Sequence, residues 1–243
     1  MIRHSLVIPA YNEAALLPRL LRTVAVARDR YAGGADAVEV IVADNDSTDA
    51  TPEIAKEAGC RVAHVAKRTI AAARNGGARV AQGEIVSFVD ADSQIHPETF
   101  NAIDAAMARG DVVGGATGVD LERWSPGIAA TWLVLMPLAL VAGMDTGVVF
   151  CRRCDFDAVG GFDEERRYAE DVAFQWALKS LGRRRGQRFM RLKGVKAITS
   201  TRKFDRHGDW HYFTMILPRA IPGLIDKAKG ADLAQEYWYT DRR

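Results

Sequence analysis

Short apolar runs alternate with amphipathic helical patterns through the first half of this 243-residue chain. The runs that predict strands cover residues 5–8, 39–43, 61–65 and 85–89. After the first run, apolar residues recur at helical spacing, as in Leu16, Leu17, Leu20, Leu21 and Val24. Strands that alternate with helices are typical of parallel βαβ units. The order therefore predicts an α/β fold with a mostly parallel central sheet flanked by helices.

Turn and cap residues set the bounds of the remaining elements. Helices are expected over residues 13–30, 70–81 and 97–107. A further helix should run to Ala58, with Ser47 or Thr48 as its N-cap, Pro52 in its first turn and Gly59 as its stop. Later residues predict strands at 112–114 and 148–151, a tight turn over 156–162 and a helix over 170–181. Without a linker or an internal repeat, residues 1–243 are expected to form a single domain.

The bulk composition is that of an ordinary globular protein. Hydrophobic residues make up 48% of the chain and charged residues 26%, and the net charge of +2 is too small to favour nucleic acid as a partner. Three cysteines do not make a disulfide framework, and the Cys151–Cys154 spacing lacks a second Cys or His pair. No signal peptide precedes Ser5, so we expect a cytoplasmic protein.

An uncharged apolar segment covers residues 127–144. It is close to the roughly 20 residues that a membrane-spanning helix needs. However, Pro137 lies in its middle, and a span would put its two site-like flanks on opposite sides of a membrane. A buried or interfacial helix is the expected alternative.

Basic and aromatic residues follow in the last third of the chain. The basic residues are Arg183, Arg184, Arg185, Arg188, Arg191, Arg202 and Lys203, and the aromatic stretch is 210–213. The basic residues indicate a solvated face, or else contact with anionic lipid headgroups or an acceptor phosphate. Contact with lipid headgroups would place the protein peripherally at the inner face of the membrane. Residues 210–217 are expected to form a packed helix or one that makes a homodimer.

Acidic residues stand where two predicted strands end. Asp44 and Asp46 follow the second strand, and Asp90 and Asp92 follow the fourth. Ligands collect at the carboxyl ends of strands in open parallel sheets, and residues two apart on an extended chain share a face. Carboxylate oxygens suit Mg²⁺ or Mn²⁺, which usually also bind substrate phosphates. The alternative for Asp44 and Asp46 is that they are ordinary turn and cap residues.

Several segments together resemble the family 2 glycosyltransferases of the GT-A fold. They are Val7-Ile8-Pro9-Ala10-Tyr11-Asn12-Glu13, Val42-Ala43-Asp44-Asn45-Asp46-Ser47-Thr48-Asp49, Ala73-Arg74-Asn75-Gly76-Gly77-Ala78, Phe88-Val89-Asp90-Ala91-Asp92, Phe150-Cys151-Arg152-Arg153, Val159-Gly160-Gly161-Phe162-Asp163-Glu164 and Glu170-Asp171. Their order and spacing match the family over residues 5–181. The resemblance implies a Rossmann-like GT-A domain, with a nucleotide-sugar-binding half over about residues 1–115 and a variable acceptor-binding half and C-terminal tail over about 116–243.

The resemblance also implies roles for residues of the first half. Pro9, Tyr11 and Glu13 would line the nucleotide pocket, where the Tyr11 ring could pack against a base. Asp44 would read the base, for example by accepting the imide N–H of uracil, with Asp46 nearby. The donor would be a UDP- or GDP-sugar.

Further implied roles concern the diphosphate and its metal ion. Arg74 would reach base or phosphate through a charge-assisted contact. Asp90, Ala91 and Asp92 would form a DxD motif that holds Mg²⁺ or Mn²⁺, a Lewis acid for the leaving group. A late histidine often completes the metal shell in related transferases, and His207 is the best candidate, with His211 second.

The acids at the start of the 170–181 helix correspond to the acceptor side of the family. Asp171 would be the catalytic base that deprotonates an acceptor hydroxyl, and Glu170 would orient it or bind the acceptor. The alternative is that both acids complement a helix N-terminus. The chain departs from the family at Asn45, where a second Asp is common. Residues 206–210 also lack the second Arg of the processive Gln/Arg-x-x-Arg-Trp element, which favours single transfers.

The functional hypothesis is a metal-dependent, inverting, non-processive transferase from a nucleotide-diphospho-sugar to an unidentified hydroxyl acceptor. One alternative is a non-catalytic sugar-nucleotide-binding protein on the same fold, which would be indifferent to Asp171→Asn. Another is a nucleotidyltransferase, which usually has a glycine-rich basic phosphate loop after its first strand. Residues 9–13 have neither the glycines nor the base, so this alternative ranks lowest.

Overall fold

The computed structural model describes residues 1–141, 144–166 and 169–216. The helices are α1 (Leu17–Asp29), α2 (Thr51–Glu57), α3 (Ile70–Val80), α4 (Thr99–Met107), α5 (Pro126–Val141), α6 (Arg153–Val159), α7 (Glu170–Arg184) and α8 (Arg202–His207), with a 3₁₀ turn at Ala35–Ala37 and a π-helical turn at Tyr212–Ile216. The strands are β1 (His4–Ala10), β2 (Val38–Asp44), β3 (Arg61–His64), β4 (Ile85–Phe88), β5 (Ser93–Gln94), β6 (Val112–Ala116), β7 (Val119–Leu121), β8 (Val149–Arg152), β9 (Arg188–Arg191) and β10 (Ala197–Thr199).

A seven-stranded sheet in the order β3-β2-β1-β4-β8-β6-β9 forms the centre of the fold. The pairs β3–β2, β2–β1, β1–β4 and β6–β9 are parallel, and β8 runs antiparallel to both of its neighbours. A smaller sheet, β5-β10-β7, joins residues that follow β4 to residues near the end of the described chain. The predicted α/β fold with a mostly parallel sheet is confirmed.

The alternation of side chains along β1 divides the core into two layers. Leu6 and Ile8 pack on one face of the sheet with Leu17 and Leu20 of α1. Val7 points to the opposite face, where it meets α3. A Cβ at Gly77 would lie 2.3 Å from Val7 Cγ1, so only glycine lets α3 approach β1 this closely. This packing places the carboxyl edge of the strands beside the N-terminal ends of the helices.

Two local predictions are wrong. Ser47 and Thr48 do not cap α2, because the Ser47 hydroxyl accepts a bond from the Asn12 backbone N–H and Thr48 donates to the Asn12 side chain; Ala50 occupies the cap position. The tight turn predicted over 156–162 is confined to its last residues. Its first residues belong to α6, which ends where Gly160 adopts a left-handed conformation with φ of 82°.

The apolar segment after residue 126 forms α5, a 16-residue helix. Ile128 on this helix is fully buried, whereas Leu133 is 76% exposed. Within the described ranges, no helix combines the length and the apolar character that crossing a membrane requires. Of the predicted helix at 210–217, the structure describes residues up to 216, with the π-helical turn at Tyr212–Ile216, and later residues of the tail lie outside the described chain.

Some of the late basic residues form ion pairs with acids of the main sheet region. Arg185 pairs with the buried Asp155, and Arg188 Nε lies 3.1 Å from Asp111 Oδ2. These two ion pairs thus link the end of α7 to α6, and β9 to the segment before β6.

Candidate active site

The loops after β1 and β2 interlock at the carboxyl edge of the sheet. Ala10 pairs in register with Asp44, the last residue of β2. The Asn12 backbone N–H donates to the Ser47 hydroxyl at 3.1 Å, and the Glu13 backbone N–H donates to Thr51 Oγ1 at 2.8 Å. Asn12 and Asp46 both have positive φ, 52° and 66°, which short polar side chains tolerate better than most. These contacts fix the two loops against each other.

Asp44 ends β2, and Tyr11 belongs to the loop after β1. The Asp44 carboxylate is buried, accepts a bond from the Ser47 backbone N–H at 3.2 Å, and lies 3.5 Å from His64 Nδ1. The Tyr11 ring lies under the Arg68 guanidinium, whose central carbon is 4.0 Å from the ring centroid. Pro9 is buried in β1, two residues before Tyr11. Neither His64 nor Arg68 is singled out by a sequence motif.

The departure at Asn45 has a structural explanation. Its side-chain amide donates to the carbonyl oxygens of Val65 and Lys67, at 2.9 and 2.8 Å. A carboxylate at this position has no hydrogen to donate at neutral pH and would face two carbonyl oxygens. Asn45 therefore holds the β3–α3 loop that carries Arg68.

Arg74 joins two of the predicted site acids. From α3, its Nη2 lies 3.0 Å from Asp90 Oδ1, and its Nη1 lies 3.0 Å from Glu170 Oε1. Burial raises the pKa of Glu170, and the Arg74 charge opposes that rise. Asp90 follows β4 and Glu170 is the first residue of α7, so this one guanidinium ties the carboxyl edge of the sheet to the start of α7.

Arg202 makes a corresponding bridge between two other acids of the site. In the sequence it stands out only as a member of a basic cluster. Its Nη1 and Nη2 donate to the two carboxylate oxygens of Glu13, at 2.7 and 2.8 Å. The Arg202 Nη2 also lies 3.1 Å from Asp92 Oδ2. Glu13 and Arg202 are 189 positions apart in the chain, which explains why no local pattern reveals the pair.

One cavity of about 580 Å³ brings most of these groups together. Its lining includes the charged residues Arg74, Asp90, Asp92, Glu170, Asp171, Arg202 and Lys203. Asp171 is the second residue of α7, and its Oδ1 accepts a bond from the Val172 backbone N–H at 2.8 Å. The residue before α7, Ala169, has a φ of 54°, an uncommon conformation for a residue other than glycine. Pro9, Tyr11, Asp44 and Asp46 lie along the neighbouring carboxyl edge, outside this cavity's lining.

The donor set of the cavity fits a hard divalent cation. Asp90 and Asp92 flank Ala91 on the segment after β4, and both line the cavity. Among the described residues, no group of three or more His, Cys, Asp or Glu side chains forms a ready-made cage. Mg²⁺ is usually held by one or two carboxylates together with substrate phosphates, so a cage is not required. His207 is at the end of α8, and its ring centroid is 5.7 Å from that of His211.

Comparison with known proteins identifies the family. The sequence model of glycosyl transferase family 2 matches residues 5–154. A validoxylamine A glucosyltransferase of Streptomyces hygroscopicus subsp. jinggangensis is 37% identical over 110 residues, which cover 43% of this chain and 25% of that protein. An undecaprenyl-phosphate 4-deoxy-4-formamido-L-arabinose transferase of Aeromonas hydrophila is 37% identical over 128 residues, which cover 49% of this chain and 38% of that protein. The matched part is thus well under half the length of these relatives.

Solved structures share the fold at lower identity. TarS of S. aureus, residues 1–349 in complex with UDP-GlcNAc, superposes with a TM-score of 0.65 at 20% identity, over 82% of this chain and 59% of that one. The mannosyltransferase PcManGT of Pyrobaculum calidifontis, in complex with GDP-Man and Mn²⁺, gives a TM-score of 0.63 at 24% identity, over 81% of this chain and 56% of that one. Together, the family match over residues 5–154 and the GT-A architecture show that this chain belongs to glycosyl transferase family 2.

Proposed function

We propose that the chain is a metal-dependent, inverting glycosyltransferase that makes single transfers from a UDP- or GDP-sugar to an acceptor hydroxyl. The observation that carries the proposal is the convergence of Asp90, Asp92, Glu170 and Asp171 on one cavity. These acids come from the segment after β4 and from α7, and Arg74 links the two groups directly. Such a set is a far more specific indication of an active site than any one strand-end acid is.

The donor would lie across the carboxyl edge of β1, β2 and β4. Asp44 would accept the base N–H, and the Tyr11 ring would pack against the base, with Pro9 lining the nucleotide pocket and Asp46 nearby. Asp90 and Asp92 would hold Mg²⁺ or Mn²⁺. When bound, the cation supplies Lewis-acid stabilisation of the diphosphate leaving group. His207 is the candidate for a further ligand.

On the acceptor side, Asp171 would take the proton of the attacking hydroxyl. An inverting displacement needs a base on the face of the sugar opposite the leaving group. Asp171 lines the same cavity as Asp90 and Asp92 but comes from a different element, α7. Glu170 is fixed by Arg74 and is buried, so it would orient the site and bind an acceptor hydroxyl. The family match over residues 5–154 ends before this pair, so these two roles are part of the proposal.

Relatives support the donor class. One structural neighbour is described in complex with UDP-GlcNAc and another with GDP-Man and Mn²⁺. By the same reasoning, residues 1–115 would form the nucleotide-sugar half of a single domain and residues 116–243 the acceptor half with its tail. A cytoplasmic location, peripheral membrane contact and a homodimer remain part of the proposal as further expectations.

The first test is a thermal-shift screen of UDP- and GDP-sugars with and without Mn²⁺. A donor at 100 times its dissociation constant stabilises the fold by about 2.7 kcal/mol, which this assay detects easily. We expect one donor class to raise the melting temperature more in the presence of Mn²⁺, and Asp92→Ala to remove the metal-dependent part while the fold persists. Full activity of Asp92→Ala would refute the metal site.

Product analysis separates the proposal from its alternatives. With radiolabelled donor, a transferase releases nucleoside diphosphate. The release is slow when the sugar is transferred to water and faster when an acceptor is present. A binding protein would retain the donor and release nothing, and Asp171→Asn would then change nothing. A nucleotidyltransferase would be recognised by the release of pyrophosphate.

A further inference from the structure

The cavity that holds the acids has an apolar wall. Ile128, Trp132, Leu135 and Met136 of α5 line it, and their spacing places them on one face of the helix. Residues of other elements complete this side, among them Leu121 from β7 and Phe204 from α8. The cavity's volume of about 580 Å³ is in the usual range for a site that encloses a small organic ligand, roughly 300–1,000 Å³.

This wall offers few hydrogen bonds to a polar ligand. Among the described cavity-lining residues of α5, Thr131 and Trp132 carry the polar groups. The Thr131 hydroxyl already donates to the Gly127 carbonyl oxygen at 2.9 Å, within the helix. A sugar or another polyhydroxylated body placed here would lose water contacts without replacing them, which costs free energy. An apolar body would gain free energy from the same burial.

The charges of the cavity argue against an anionic ligand. Its described lining holds four carboxylates, Asp90, Asp92, Glu170 and Asp171, and three basic side chains, Arg74, Arg202 and Lys203. Under the proposed function a divalent cation and a diphosphate would join them, so their charges nearly cancel and leave no surplus positive charge. A phosphate on the acceptor would then add negative charge next to the carboxylates of α7.

The apolar wall continues to the surface of the molecule. The Trp132 ring stands edge-on to that of Trp124, with the ring centroids 5.7 Å apart, and Trp124 is 52% exposed. An apolar ligand longer than the cavity could therefore extend from Trp132 toward the exposed Trp124 ring.

We infer that the acceptor is an uncharged amphiphile, a hydroxyl carried on a large apolar body that packs against α5. The inference rests on the proposed function, because it assigns the cavity next to Asp171 to the acceptor. The hydroxyl would lie at the end of the cavity near Glu170 and Asp171, and the apolar body would lie against Trp132 and Leu135.

The test is equilibrium binding of alkyl β-glucosides of increasing chain length, measured by calorimetry below their micelle concentrations. From methyl to octyl glucoside, we expect the affinity to rise about fourfold for each methylene that the wall covers. Leu135→Asn should flatten this rise, and Met136→Gln serves the same purpose if the first variant does not fold. Leu133→Asn is the matched control, because that side chain is 76% exposed on the same helix and does not line the cavity.

Three results would overturn the inference. Equal binding of methyl and octyl glucoside would mean that no apolar wall contacts the chain, and an equal loss with Leu133→Asn would mean simple adsorption to the surface. Tighter binding of octyl phosphate than of octyl glucoside would mean an anionic ligand. The failure of the proposed function would be seen separately, as no binding and no cleavage of any sugar nucleotide, since the glucoside measurement contains no donor.

Discussion

Replacing Arg202 by Met should change metal affinity and stability in opposite directions. In the structure the Arg202 guanidinium is shared between the Glu13 carboxylate and Asp92, one of the two proposed metal ligands. A cation bound to Asp92 must compete with that guanidinium. We therefore expect Arg202→Met to bind Mn²⁺ more tightly in the absence of donor, and to be less stable toward unfolding.

The loss of stability follows from the burial of Glu13. Its side chain is 4% exposed, and Arg202 contacts both of its oxygens. Removing one partner of a fully buried ion pair typically costs about 3–5 kcal/mol. The Arg202 side chain is 31% exposed, so water can replace part of what is lost. We expect a decrease of about 2 kcal/mol in the free energy of unfolding.

The gain in metal affinity follows from Coulomb's law. Two unit charges about 4 Å apart interact by about 1 kcal/mol in bulk water and about 4 kcal/mol at an effective dielectric constant of 20. The Arg202 Nη2 to Asp92 Oδ2 distance is 3.1 Å, and both side chains are partly exposed. A value toward the lower end, about 1.4 kcal/mol, corresponds to about tenfold tighter Mn²⁺ binding.

Two measurements check this prediction. Calorimetric titration of the free protein with Mn²⁺ gives the affinity, and urea unfolding gives the stability. Arg202→Lys keeps the charge near Asp92 and should change the Mn²⁺ affinity little, while Arg206→Met removes a charge from the same helix. Weaker or unchanged Mn²⁺ binding by Arg202→Met, or an equal gain in Arg206→Met, would show that Arg202 does not compete with the cation.

Three further predictions concern catalysis, pH and packing. Asp171→Asn should lower the rate of transfer by about 10²–10⁴-fold without loss of donor binding, because the variant lacks the base. Burial lowers the pKa of His4 below its ordinary value, so below pH ~6.5 the unfolded chain binds a proton that the folded chain does not. The free energy of unfolding should therefore decrease as the pH is lowered through this range, and His4→Leu should make that decrease smaller. Gly77→Ala should cost about 1–3 kcal/mol in urea unfolding, because its Cβ would lie 2.3 Å from Val7 Cγ1.

Each of these has a control. Asp163→Asn removes an exposed acid that does not line the cavity, and it should leave the transfer rate unchanged. A similar loss in Asp163→Asn, or no loss in Asp171→Asn, would contradict the role of Asp171 as a base. His211 is also buried with a lowered pKa, so the His4 effect is the difference in pH slope between wild type and His4→Leu, and equal slopes would disprove it. Val7→Ala combined with Gly77→Ala should recover part of the lost stability, since it removes the clashing methyl group.

Much of the fold could be predicted from local sequence pattern. The strand at 85–89 is predicted because a largely apolar run ends at charged residues, and the observed β4 covers Ile85–Phe88. Local pattern was insufficient where tertiary contacts decide. The hydroxyls of Ser47 and Thr48 look like helix caps, but Asn12 from another loop engages both residues. Helix α6 has no sequence signal of its own and contains Asp155, which is buried against Arg185.

The candidate acids and Arg74 could be named from sequence, whereas Arg202, which pairs with Glu13 and Asp92, could not be assigned to the site. An acid at a strand end is a local feature, and the order of strands determines which ends meet. The basic partner of such an acid can come from any element that reaches the same edge. Arg202 illustrates this, since it arrives from α8, after the small sheet has brought residues near the end of the described chain next to β5.

The two arginine bridges follow one principle. Arg74 links Asp90 to Glu170, and Arg202 links Glu13 to Asp92, so each guanidinium joins an acid of the strand edge to an acid of another segment. Without the bridges, like charges would repel across the cavity. Under the proposed function, a metal ion and a diphosphate bound there would bring both signs of charge, so Asp92 could exchange Arg202 for the cation while Arg202 turned to the phosphate. The positive charge that now pairs with Glu13 and Asp92 would then already lie next to the diphosphate when the donor binds.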